Sequence, residues 1–63
     1  MALHVGDRVR VSPDYHELSL QGRRGKIIAP PDKHHPNEFL VQLEGDSLTG
    51  KANWISGDYL QRD

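Results

Sequence analysis

The chain has 63 residues, a formal net charge of −1 and no cysteine. That length allows one small domain, which buries only about 60% of the surface its unfolded chain exposes and leaves no room for a deep enclosed active site. Without cysteine neither a disulfide nor a thiolate metal site can staple the fold, and the near-neutral balance lacks the basic excess of a dedicated nucleic-acid binder.

The first element is read over Asp7 to Val11. Val9 and Val11 alternate with Arg8 and Arg10, the period of a half-buried strand with two arginines in solvent. Ser12-Pro13 ends it, because proline has no ladder donor. Asp14 to Gln21 is polar and reads as an excursion loop of about ten residues, pinned to the core by Leu18 or Leu20. A short helix started by Pro13-Asp14 is the alternative.

Gly22 and Gly25 bracket Arg23-Arg24 as a tight turn, with glycine supplying positive φ. Lys26 to Ala29 follows as a short strand, halted by Pro30-Pro31. Pro30 to Glu38 reads as a surface loop. Phe39 to Leu43 is the most apolar strand, expected at the centre, with Phe39, Val41 and Leu43 on one side and Leu40 and Gln42 on the other. Gly45-Asp46 and Thr49-Gly50 mark a hairpin connection to a strand over Lys51 to Ile55. Ser56 to Tyr59 reads as a single helical turn capped by Ser56, and Leu60 to Arg62 as the closing strand.

Four longer strands, a polar first loop and one short 3-10 turn before the last strand give an all-β, five-stranded SH3-like barrel, a single domain over residues 1–63. The motif Gly22-x-x-Gly25-Lys26-Ile27, preceded by Val9-x-Val11, resembles the KOW motif of ribosomal proteins and transcription elongation factors. Gly6-x-x-Val9-Arg10-Val11, Gly25-x-Ile27, Val41-x-Leu43-Glu44, Gly50-x-x-Asn53 and Leu60 are similar to the barrel subunits of photosystem I and ferredoxin-thioredoxin reductase. Nitrile hydratase β-subunits end in a similar barrel. The KOW resemblance implies RNA or protein contact at the glycine turn. The redox-complex resemblance implies an accessory subunit.

Candidate site residues fall in four sets. His34 and His35, near Asp32 and Glu38, carry metal-ligating groups. Adjacent residues in a loop do not direct both rings at one ion, so the expectation is a solvated loop tip with no metal and no cofactor. His16 has a general base's chemistry, but no nucleophile or carboxylate pair accompanies it, and no catalysis is expected. Arg8, Arg10, Arg23, Arg24 and Lys26 form either a basic face for RNA or an acidic protein, or a solvated strand face. Trp54, Tyr59 and Tyr15 form either a shallow docking groove or, for Trp54, the favoured reading of a core residue, with Tyr15 the exposed member. The resulting expectation is a non-enzymatic, cytoplasmic interaction or accessory module. It would contact a larger protein assembly through Tyr15, His16, Arg23, Arg24, His34, His35 and Tyr59, with a KOW-like nucleic-acid module as the alternative. No apolar run approaches the ~20 residues of a membrane span.

Overall fold

The computed structural model describes residues 3–45 and 49–63. Five antiparallel strands form one sheet: β1 (Arg8–Val11), β2 (Arg24–Ala29), β3 (Glu38–Leu43), β4 (Asn53–Ser56) and β5 (Leu60–Arg62). A 3-10 turn, η1 (Gly57–Tyr59), separates the last two. The strand order is β4-β3-β2-β1-β5, so β2 lies at the centre and β3 beside it, not β3 at the centre as its apolar run implied.

Alternation decides which side chains face inward. Val9 and Val11 of β1, Ile27 of β2, Val41 and Leu43 of β3, Ile55 of β4 and Leu60 of β5 are buried in one cluster. A sheet this small encloses such a core only by curling around it, and this one does. The ladder runs from β4 round to β5. The Cα radius of gyration, 10.5 Å, matches the roughly 10.6 Å of a compact chain of this length.

Two readings around the glycine turn change. β2 begins at Arg24, two residues earlier than the sequence pattern marks, and Gly25 belongs to the strand. Only Gly22 of the two turn glycines has positive φ, +69°. The segment after β1 is the loop expected, and the alternative helix does not form. The loop is closed by Val11 N–H donating to Arg23 O at 2.8 Å and Gly22 N–H donating to Val11 O at 3.0 Å. Leu20 pins it to the core, while Leu18 stays 82% exposed. In the connection after β3, Gly45 and Gly50 both take positive φ, while residues 46–48, including the turn signal at Asp46, lie outside the described residues.

The turn before β5 forms as its residues direct. Ser56 Oγ accepts from Asp58 N–H at 3.3 Å, and Gly57 N–H donates to Asn37 O at 2.9 Å, tying η1 to the start of β3. A bulge between Ile27 and Ala29 interrupts the β2–β3 register.

Candidate functional site

The first loop and η1 meet at an aromatic patch. Tyr15 N–H donates to Ser12 O at 3.1 Å, which turns the chain back just after β1. Gln21 Nε2 donates to Tyr15 O at 2.6 Å and draws the two sides of the loop together. These bonds carry the Tyr15 ring under the loop, where it is 6% exposed. Tyr15 is therefore the buried member of the patch, not the exposed one. Tyr59 stands edge-on to it, ring centroids 5.2 Å apart at 71°, and is itself exposed. His16 packs 4.2 Å from Tyr15 and 6.2 Å from Tyr59. Ser12 N–H donates to Tyr59 O at 2.8 Å, fixing the turn against the loop. Burial pushes the Tyr15 phenol above its ordinary value, and the carboxylates of Glu17 and Glu38 act in the same direction.

Trp54 does not join this patch by ring contact, and it is not a core residue. Its neighbour Ile55 faces inward and is fully buried, so alternation sends Trp54 to the outer face of β4. There the His35 ring stacks on it at 3.9 Å and 3°. His35 Nδ1 also lies 3.2 Å from Glu38 Oε1. The stack is the feature that sequence reasoning missed. Its one local signal is the three-residue spacing of His35 and Glu38 at the foot of β3. His34 is exposed, and its N–H donates to Asp32 Oδ1 at 2.9 Å.

The basic residues divide. Arg8 stands opposite Lys26 and Arg10 opposite Arg24 across the β1–β2 ladder, and all four are exposed on the outer face. Arg23 is set apart from them. It is half-buried, and its guanidinium donates to Glu44 O at 2.7 Å. Arg24 Nε is 3.3 Å from Asp63 Oδ2, and Arg10 Nε donates to Gly22 O at 3.3 Å.

Among the described residues, no three histidine or acidic side chains converge to hold a metal ion. No helix there is long and apolar enough to cross a membrane. Comparison with models of protein families, with curated proteins and with solved structures gives no match. The patch offers aromatic faces, a hydroxyl, an imidazole and carboxylates on a backbone fixed by short hydrogen bonds.

Proposed function

We propose that the chain is a non-catalytic protein-interaction module, an accessory unit that docks on a larger protein assembly through the Tyr15–His16–Tyr59 patch. The observation that carries this reading is the exposed Tyr59 ring held edge-on against the buried Tyr15 at 5.2 Å. A rigid, amphipathic aromatic loses little freedom on binding, and tyrosine is enriched among residues that dominate interface energy. Leu18, 82% exposed on the same loop, adds apolar surface. Glu17 follows His16 on the same exposed loop, so a partner segment carrying lysine or arginine would find a carboxylate beside the patch. The resemblance to SH3-like barrels, whose loops make partner contacts, supports the same reading, and a cytoplasmic setting is part of the proposal.

The test is capture of proteins from native lysate on immobilised wild type, Tyr59→Ala and His16→Ala, each with and without nuclease. A discrete protein set that survives nuclease and falls at least about tenfold on Tyr59→Ala is expected, the loss of a hot-spot residue. Circular dichroism checks that both variants keep the fold. Equal recovery by all three proteins, or recovery that nuclease abolishes, overturns the reading.

A further inference from the structure

The outer face of β1 and β2 carries four cations that the aromatic patch does not use. Arg8 faces Lys26 and Arg10 faces Arg24 directly across the ladder. Opposite positions in an antiparallel pair bring Cβ atoms to about 5 Å, and like charges placed there destabilise the sheet. Two such pairs lie side by side, about 7 Å apart along the strands. Asp63 relieves Arg24. Among the described residues, no carboxylate forms an ion pair with Arg8, Arg10 or Lys26. The fold thus keeps Arg8, Arg10 and Lys26 close together with no acid to offset them among the described residues, beside the paired Arg24.

An open depression of about 220 Å³ adjoins the quartet, lined by Arg8, Lys26, Gln42 and Glu44 over Gly25 and Leu43. Two cations and the Gln42 amide line it together with Glu44, whose carboxylate works against an anion there. The quartet and its depression include no aromatic side chain of the kind that anchors protein interfaces. Closely spaced cations with hydrogen-bonding neighbours match a chain of phosphates instead.

We propose that this face binds the sugar–phosphate backbone of a nucleic acid, through Arg8, Arg10, Arg24 and Lys26. Contacts of this kind position a strand without reading its sequence. The net charge of −1 confines the attraction to this patch, and a dissociation constant of about 1–100 µM at physiological salt is expected, the range of sequence-independent binding.

Fluorescence anisotropy of labelled mixed-sequence duplex DNA and of an RNA hairpin, over a series of salt concentrations, tests the assignment. Binding of at least one is expected, with log affinity falling against log salt at a slope of about −2 to −4 for three or four neutralised phosphates. Replacing Arg8→Gln and Lys26→Gln together should lower the magnitude of the slope by about 2 and the low-salt affinity at least about tenfold. Because it also removes one repelling pair, the double variant should melt no lower than wild type. Three results overturn the proposal: no binding of either nucleic acid at low salt, binding unchanged in the double variant, or binding of polyglutamate in place of both. The last would assign the face to an acidic protein.

Discussion

At Gly25 a single carbon separates a stable ladder from a strained one. A Cβ built there would stand 2.6 Å from Gln42 O, 2.9 Å from Val41 Cγ1 and 3.0 Å from the Leu43 Cα. Two of those atoms are β3 backbone, so relief requires β3 to move, and β3 carries fully buried Val41. Alanine ordinarily improves on glycine inside a strand, yet here the sign reverses. Gly25→Ala is expected to cost about 1–3 kcal/mol, as overpacking does, read as a fall in the urea midpoint with unchanged slope. A midpoint equal to or above wild type would show that β3 yields freely. Gly22 illustrates the other use of glycine. Nothing crowds it, and its φ of +69° closes the first loop.

At the scale of elements, the segment between β2 and β3 is held as a latch on β4. Asp32 Oδ1 accepts from both His34 N–H and His35 N–H at 2.9 Å, Asn37 adopts φ 61°, and its carbonyl receives Gly57 N–H. His35 then lies flat on Trp54. Trp54 is the one tryptophan of the chain, so the chain's tryptophan emission reports on the surroundings of this one ring, the His35 stack included. His35→Ala should shift that emission to the red while the far-ultraviolet dichroism stays unchanged, and should cost about 0.5–1.5 kcal/mol, the worth of a stacked pair. An unshifted spectrum counts against the latch. How much of this the sequence discloses follows from how local each determinant is. The alternation of Val9 and Val11 with two arginines, the inward Val41 and Leu43, and the Ser56 cap depend on near neighbours and read correctly. Gly25 looks like a turn residue because the atoms that forbid a side chain there come from β3. Trp54 looks like core because an aromatic in a small chain is expected inside, whereas its parity with Ile55 sends it out. Tyr15 looks exposed because nothing near it in sequence announces the Gln21 bond that folds the loop over it. The cross-strand cation pairs need the register of β1 on β2, which no single strand contains.

Across the whole molecule, stability rests on a small core, and a buried phenol sits within it. Below the ordinary tyrosine value of about 10, Tyr15 is protonated in both folded and unfolded chains, and its contribution is fully present. Its raised value in the fold means that the unfolded chain loses the proton first as pH climbs, so stability declines through that window. The urea midpoint should hold steady toward pH 10 and fall above it, and Tyr15→Phe should flatten that fall relative to wild type. Superimposable alkaline limbs for the two proteins would refute the assignment. The pairing of β5 with β1 has a consequence in time. Val9 lies against Arg62 and Val11 against Leu60, which joins the first strand of the sheet to the last. Closing a loop that spans nearly the whole chain is entropically costly and slow. As the chain folds, β1, β2 and β3 can pair through their shorter connections, but one edge of β1 stays bare until β5 docks. For that interval the folding chain presents an unpaired strand edge bearing Val9 and Val11, open to other chains and to chaperones.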